Sequence, residues 1–241
     1  MTDEEISENA FNYIKKLISD KTLYNKYIDN KFKSLDSPIS FFMAGSPGAG
    51  KTEFSKSFIK TLNEDNEFSI IRIDADEIRE MCPRYTGENA YLFQKAASKG
   101  VEALHEYALK NNFNLLIDGT FQSDRYEENI KRSLKRGRIV HIMYVFQEPS
   151  IAWEFAQKRE RVEKRKVTLD VFIDTFLKAK ENVNNAKKIF GDKIRVDFIK
   201  KDYYNKNISD FQMNINSVDS YIQKDYSKEA LYNQLANIKI D

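Results

Sequence analysis

Short apolar runs alternate along the chain with longer segments of helical periodicity. The runs are rich in β-branched and aromatic residues, and several are too continuously apolar for strands with one solvent-exposed face. The predicted strands lie at residues 39–45, 68–75, 113–119, 138–146 and 194–200. Between the second and third, apolar residues recur at roughly helical spacing over residues 88–110. This alternation predicts an α/β fold, in which right-handed crossovers build a parallel sheet flanked by helices.

The two ends of the chain depart from this alternation. Residues 1–33 predict one or two helices before the first strand, and residues 201–241 combine Asn, Tyr and Lys with helical periodicity. The sequence contains no internal repeat, low-complexity tract or clear linker. We therefore expect one domain over residues 1–241, with N-terminal helices at 1–33, a core at 39–200 and a C-terminal helical tail at 201–241.

Composition narrows the class of protein. The 39 basic residues nearly balance the 37 acidic ones, so the formal charge of +2 does not indicate a nucleic-acid-binding protein. The single cysteine, Cys82, excludes an internal disulfide framework and is typical of a reducing compartment. The acidic start lacks the pattern of a secretory signal, and no apolar run approaches the roughly 20 residues that span a bilayer. We expect a soluble cytoplasmic protein without a membrane partner.

The loop after the first predicted strand concentrates three of the eight glycines within six positions. Glycine permits the backbone turns that point successive N–H groups at an anion, and the following helix adds its positive end. The strand, the loop and the helix together match the P-loop pattern of nucleoside-triphosphate-binding proteins, whereas the alternative is a glycine-rich turn without a ligand. The predicted ATP-binding residues are Gly45, Ser46, Pro47, Gly48, Ala49, Gly50, Lys51 and Thr52.

Within this loop, Lys51 is expected to reach the β- and γ-phosphates and Thr52 to ligate Mg²⁺ through its hydroxyl. A guanine-specific GTPase should carry an Asn-Lys-x-Asp loop, but the nearest candidate, which starts at Asn205, ends in Ile208. The sequence also lacks an LSGGQ-like segment of transporter ATPases. These two absences argue against a guanine-specific GTPase and a transporter ATPase and leave the reaction open.

Two acids, Asp74 and Asp76, lie at the end of the second predicted strand. The carboxyl ends of parallel strands meet at the ligand crevice, where a carboxylate could accept a hydroxyl proton during phosphoryl transfer. The alternative is that they cap the next helix, whose first turn favours acids. We expect only one of the two to act in chemistry, and we assign the general base to Asp76. Arg79, one turn further on, is a candidate for binding the substrate.

The third predicted strand ends at Asp118, which resembles the Walker B acid that helps to hold Mg²⁺ or its waters. Thr120 and Gln122 follow closely and could make hydrogen bonds to the substrate. The alternative for Asp118 is a cap or turn residue before Gly119.

Residues 156–166 contain Arg159, Arg161 and Arg165, three donors that could neutralise the charge of a transferring phosphoryl group. The alternative is a solvated helix face of mixed charge. A single straight helix cannot point all three at one site. We therefore predict Arg159 and then Arg165 as catalytic, and Arg161 as a residue that contacts the nucleotide.

The order and spacing of these motifs over roughly residues 39–183 resemble the zeta toxin family of toxin–antitoxin kinases. The resemblance implies a fold similar to adenylate kinase and transfer of the ATP γ-phosphate to the 3′-hydroxyl of UDP-N-acetylglucosamine, with a small helical antitoxin as partner. It assigns Lys51 to the phosphates, Thr52 to Mg²⁺, Asp76 to the base, Asp118 and Thr120 to the sugar nucleotide, and arginines within 159–165 to a lid.

The chain departs from the family pattern at two positions of the expected acceptor site. The family commonly carries Glu where this chain has Asp118, and an arginine where it has Gln122. Two other classes of function therefore stay open. One is a P-loop kinase for a nucleotide, an antibiotic or a polynucleotide 5′-end, and the other is a non-catalytic ATP-binding module.

Overall fold

The strands of the sheet are β1 (Ile39–Ala44), β2 (Ile70–Asp74), β3 (Asn114–Asp118), β4 (Ile139–Phe146), β5 (Ile194–Asp202) and β6 (Asn207–Gln212). The computed structural model describes residues 1–28, 32–62, 68–202, 207–222 and 224–238. Over this part of the chain the strands form one sheet in the order β2-β3-β1-β4-β5-β6. β1 to β5 pair in parallel, and β6 pairs antiparallel with β5. The predicted α/β fold and its five predicted strands are confirmed.

Helices flank the sheet. They are α1 (Asp3–Ser19), α2 (Thr22–Tyr27), α3 (Lys51–Leu62), α4 (Ala75–Glu80), α5 (Gln94–Lys110), α6 (Tyr126–Lys135), α7 (Pro149–Glu163), α8 (Leu169–Phe190) and α9 (Lys228–Leu235). α1 and α2 confirm the helices predicted before the first strand. In the described residues, no helix has the length and apolar character that a membrane crossing needs.

Each face of the sheet has its own core, because successive strand residues point to opposite faces. α3 packs against a cluster on one face that includes Phe41, Met43, Leu116 and Val145. The opposite face is covered near β2 and β3 by α1, α4 and α5, and near β4 and β5 by α7, α8 and α9. The prediction of a sheet covered on both faces is confirmed.

The segment after residue 200 differs from the predicted helical tail. It contains β6, which pairs with the outer edge of β5, and among its described residues only α9 and a short 3₁₀ turn at Val218–Ser220 are helical. The pattern is a poor guide here because backbone pairing with β5 holds β6 in place, while Ile208 and Phe211 stay exposed. Residues 203–206, 223 and 239–241 of the predicted tail lie outside the described residues.

Candidate functional site

The glycine-rich loop joins the carboxyl end of β1 to the first turn of α3. Gly45 and Gly48 have φ values of 134° and 71°, which are strained for other residues. A Cβ on Gly45 would lie 2.2 Å from the carbonyl oxygen of Val145, and one on Gly48 would lie 2.0 Å from that of Ala152. The loop backbone therefore packs directly on the end of β4 and on the start of α7.

Lys51 is the first residue of α3, and its side chain folds back over the loop. Its Nζ atom donates a hydrogen bond of 2.6 Å to the carbonyl oxygen of Ser46. Burial lowers the pKa of Lys51 to about 8; Asp118 and Glu53 oppose the shift, whereas Arg159 and Arg165 reinforce it. The lysine ammonium is thus partly dehydrated, and no carboxylate of the described residues forms an ion pair with it. A bound phosphate would supply the opposite charge.

Asp74 and Asp76 have different environments. Asp74 ends β2 and caps α4: its Oδ1 atom accepts the backbone N–H of Asp76 at 2.8 Å. Burial raises the pKa of Asp74 to about 6, with Asp118 and Asp76 adding to the rise and Arg72 opposing it. Asp74 therefore has the capping role that was the alternative reading of this pair. Asp76 is half-buried in the first turn of α4 and presents its carboxylate to side chains from other elements.

Three arginines converge on the Asp76 carboxylate. Arg79 from the same helix and Arg165 both donate to Oδ1, and the Nη2 atom of Arg159 lies 3.7 Å from Oδ2. Arg159 belongs to α7, which ends at Glu163, and Lys164 then adopts a left-handed conformation with φ 58°. This reversal after the helix brings Arg159 and Arg165 to the same carboxylate, which one straight helix could not do.

Arg79 is the most enclosed of the three arginines, with 9% of the residue exposed. Besides Asp76, it donates to the side-chain oxygen of Gln94 at the start of α5. Its Nε atom is buried, and none of the described residues accepts a hydrogen bond from it. A buried donor of this kind is a group that a polar ligand can satisfy, so Arg79 and Gln94 extend the candidate site beyond Asp76.

Asp118 ends β3 directly beside Asp74 in the register of the sheet. Its Oδ2 atom accepts hydrogen bonds from Ser55 of α3 at 2.7 Å and from Arg72 of β2 at 2.5 and 3.0 Å. Asp118 is thus bound to protein side chains on the P-loop side of the sheet. One oxygen of this carboxylate is therefore already engaged by the guanidinium of Arg72.

The remaining predicted residues are more dispersed. The carbonyl oxygen of Thr120 accepts the N–H of Gly45 at 3.2 Å, so Thr120 does lie beside the loop. Gln122 is exposed, and its Oε1 atom accepts a hydrogen bond of 2.5 Å from Thr175 of α8. Arg161 is also exposed, two positions along α7 from Arg159 and therefore on another face of the helix. The structure does not bring Arg161 to the Asp76 carboxylate.

The predictions missed four residues that the structure brings to the site: Ser55, Arg72, Gly87 and Gln94. Only Arg72 carries a signal in the sequence, because a charged residue inside an apolar strand run needs a partner. Gly87, with φ 86°, lies in the loop between α4 and α5, and a Cβ there would lie 2.0 Å from the carbonyl oxygen of Glu163. This loop therefore contacts the end of α7, just before Arg165.

Comparisons with known proteins give the family context of this site. The family model described as zeta toxin matches residues 24–216. The curated protein toxin zeta of Streptococcus pyogenes is 26% identical over 55% of this chain and 50% of its own length. Toxin zeta of Enterococcus hirae is 27% identical over 49% of this chain and 43% of its own length. The chain thus aligns with about half the length of the curated relatives that it matches.

Solved structures share the fold. A structure from work on the PezAT chromosomal toxin–antitoxin system of Streptococcus pneumoniae superposes with a TM-score of 0.64 at 17% identity, covering 94% of this chain and 88% of that one. An AvrRxo1-ORF1:-ORF2 structure with ATP superposes with a TM-score of 0.52 at 13% identity, covering 88% and 64%. At these identities the likeness concerns the fold alone. The family match spans most of the chain, including the P-loop, Asp76 and the arginines that face it, and the chain belongs to the zeta toxin family.

Proposed function

We propose that the protein is an ATP-dependent kinase that transfers the γ-phosphoryl group to a hydroxyl group of a sugar nucleotide. The observation that carries the proposal is the convergence of Arg79, Arg159 and Arg165 on the carboxylate of Asp76. Arg159 and Arg165 also lower the pKa of the P-loop residue Lys51, so both arginines lie within electrostatic reach of the phosphate cradle. A base and the cations for a transferring phosphoryl group are thereby gathered in one crevice.

Asp76 is the general base in this proposal. Its carboxylate accepts the proton of the acceptor hydroxyl while the acceptor oxygen bonds to the γ-phosphorus and the bond from phosphorus to the leaving ADP oxygen breaks. The arginines must move at least in part, because they occupy positions around the carboxylate that the acceptor hydroxyl has to reach. Binding of the negatively charged substrates supplies the alternative partners for Arg159 and Arg165.

Lys51 and the loop backbone hold the phosphates in place. The N–H groups of the loop and the amino end of α3 face the same anion, and Lys51 is freed from Ser46 when a phosphate oxygen replaces the carbonyl. Within the described residues, no group of three His, Cys, Asp or Glu side chains is arranged to hold a metal ion. The hydroxyl of Thr52 and the carboxylate of Asp118 fit Mg²⁺, which is usually held by one or two protein oxygens together with substrate phosphates and water.

Thr52 is the residue that would ligate Mg²⁺, and the second oxygen of Asp118 could bind a water of the ion. Mg²⁺ held there would neutralise the negative charge of the phosphates during transfer.

The acceptor binds beside Asp76 in this proposal. Beside Asp76, the guanidinium of Arg79 offers N–H donors for a polar, anionic molecule, and Gln94 accepts one of them. We propose UDP-N-acetylglucosamine and its 3′-hydroxyl, on the family resemblance and on these donors. The exposed Gln122, which is held by Thr175, adds no positive charge to the acceptor side.

A panel of acceptors tests the proposal. The protein is incubated with Mg²⁺ and γ-labelled ATP together with sugar nucleotides, nucleosides, aminoglycosides and 5′-hydroxyl oligonucleotides, and the products are separated. Label on UDP-N-acetylglucosamine is the expected result. Label on oligonucleotides alone would assign a polynucleotide kinase, and ATP binding without any labelled product would assign a non-catalytic module.

A toxin role is the second part of the proposal, with a helical antitoxin as the partner. If phosphorylation of the sugar nucleotide is the toxic activity, induced expression of the chain should arrest bacterial growth, and Asp76→Asn should restore it. Arrest by the Asp76→Asn variant would show that toxicity does not need phosphoryl transfer.

Gly87→Ala should slow phosphoryl transfer by about 10- to 100-fold, because its Cβ would push the end of α7 away and misplace Arg165 beside the reaction. The affinity for ATP should change little, since the atoms nearest to a Cβ on Gly87 belong to Glu163 and Lys164 and not to the P-loop. The measurement is kcat together with the Kd for ATP.

Gly137→Ala is the matched control for this variant. Gly137 also has a positive φ of 68°, but a Cβ there meets nothing within 4 Å, so the substitution adds backbone strain without a collision. It should lower stability and leave kcat unchanged. An equal loss of kcat in the two variants would show that strain, and not contact with α7, causes the effect of Gly87→Ala.

A further inference from the structure

An arginine within strand β2 binds the acidic residues at the carboxyl edge of the sheet. The side chain of Arg72 is 11% exposed and faces α3. Its Nη2 atom lies 2.5 Å from Asp118 and 2.6 Å from Asp74, and its Nη1 atom lies 2.5 Å from Glu77. Its Nε atom is 3.2 Å from the hydroxyl of Ser55. One guanidinium therefore joins the ends of β2 and β3 to α3, through Ser55, and to α4, through Glu77.

These contacts offset the cost of an enclosed charge. An arginine buried in an apolar sheet would be strongly unfavourable alone, and carboxylates as close as Asp74 and Asp118 would repel each other. The planar, five-donor guanidinium can serve several acceptors at fixed angles, which a lysine ammonium cannot do in the same way. The cluster is therefore expected to be rigid, and its orientation to depend on Arg72.

A short relay connects Arg72 to Asp76. Arg72 holds Oδ2 of Asp74 at 2.6 Å, and Oδ1 of the same carboxylate accepts the N–H of Asp76 at 2.8 Å. Arg72 also binds Glu77, the next residue of α4. Helix α4 has only six residues, so these contacts on its first turn contribute much of what fixes its orientation.

We propose that Arg72 is a positioning residue for phosphoryl transfer, which orients Asp76 through Asp74 and the first turn of α4. The inference rests on the proposed kinase function and adds a residue that touches neither ATP nor the acceptor. It predicts a loss of kcat without a matching loss of ATP affinity. It also predicts that the effects of Arg72 and Asp74 on kcat are coupled, because both act on Asp76 through the same contacts.

The first test is a double-mutant cycle in the labelling assay, with rates expressed per ATP-binding site. Arg72→Met and Asp74→Ala should each lower kcat by about tenfold or more, since small displacements of a catalytic group are costly. The double variant should be no slower than the slower single variant, because both changes break the same relay. The inference would be overturned if the two losses of kcat multiplied in the double variant, or if kcat were unchanged in Arg72→Met.

Arg132→Met is the matched control. Arg132 is also partly enclosed and also binds two carboxylates, Glu102 and Glu106 at 2.8 and 2.7 Å, but it joins α6 to α5 away from the site. Its loss should lower stability with kcat unchanged. If Arg72→Met does not fold, Arg72→Lys replaces it: a kcat at the wild-type level in that variant would count against the relay, and a reduced one would support it.

A second readout does not depend on activity. Hydrogen exchange at the backbone amide of Asp76 should accelerate in Arg72→Met and not in Arg132→Met, because the acceptor of that amide is no longer held. Unchanged exchange would overturn the positioning role even if the enzyme is active. Wild-type protein that labels no acceptor would instead contradict the proposed function, while faster exchange in Arg72→Met would still support the relay.

Discussion

Asp76→Asn is expected to slow phosphoryl transfer by about 10² to 10⁴-fold, the range over which a positioned general base contributes. Asparagine keeps the size of the side chain and its place in α4, but it cannot take up the proton of the acceptor hydroxyl. ATP should bind with nearly unchanged affinity, because the cradle of the phosphates is formed by other residues. Single-turnover labelling and a separate titration with ATP measure the two effects.

Glu80→Gln is the control for Asp76→Asn. It removes a carboxylate from the same short helix, but Glu80 is exposed at the far end of α4. The control should retain full activity. A rate for Asp76→Asn within about tenfold of wild type, roughly 1.4 kcal/mol in the barrier, would show that Asp76 is not the base.

The ion pairs of Asp76 allow the role of the base to be distinguished from the role of the arginines. In the structure the carboxylate is bound by Arg79 and Arg165, and Arg159 is near. Asparagine weakens these pairs and leaves the arginines free to meet the phosphates. A variant that binds ATP as tightly as wild type, or more tightly, and transfers its phosphate slowly would separate the role of the base from that of the arginines.

The local patterns of the sequence predicted most of the fold. Strands β1 to β5 are apolar enough to be recognised individually. In the glycine-rich loop after β1, phosphate binding explains each residue type. β6 could not be recognised in this way. Its residues, from Asn207 to Gln212, lack the alternation of a strand, and its pairing partner is an edge of β5 that no local pattern reveals.

The site was predictable as a set of strand ends but not as a network of contacts. The sequence indicated that Asp74, Asp76 and Asp118 follow strands that meet at one edge. It favoured Asp76 over Asp74 for chemistry but could not show the turn into α4, in which Asp74 caps the helix and Asp76 faces the arginines. Arg165 reaches Asp76 only through the left-handed residue Lys164, and such a reversal leaves no periodic signal.

Lys51→Met is expected to abolish the stabilisation of the protein by ATP. Without ATP, the variant should be at least as stable as wild type. Methionine keeps the length of the apolar stem and removes the ammonium, whose pKa burial lowers to about 8. A lowered lysine pKa means that the folded state disfavours the charge, so its removal relieves a cost in the absence of a ligand. Bound phosphates reverse this balance, because they pair with the same charge.

Thermal unfolding with and without Mg²⁺ and ATP measures both halves of this prediction. At about a hundredfold excess over Kd, ATP should stabilise the wild-type protein by about 2.7 kcal/mol, or roughly 5 to 10 °C for a chain of this size, and the Lys51→Met variant hardly at all. Lys56→Met, an exposed lysine on the same helix, should behave as wild type. An ATP shift that survives in Lys51→Met would place the phosphates elsewhere, and a clear loss of stability in the free variant would mean that Lys51 supports the fold.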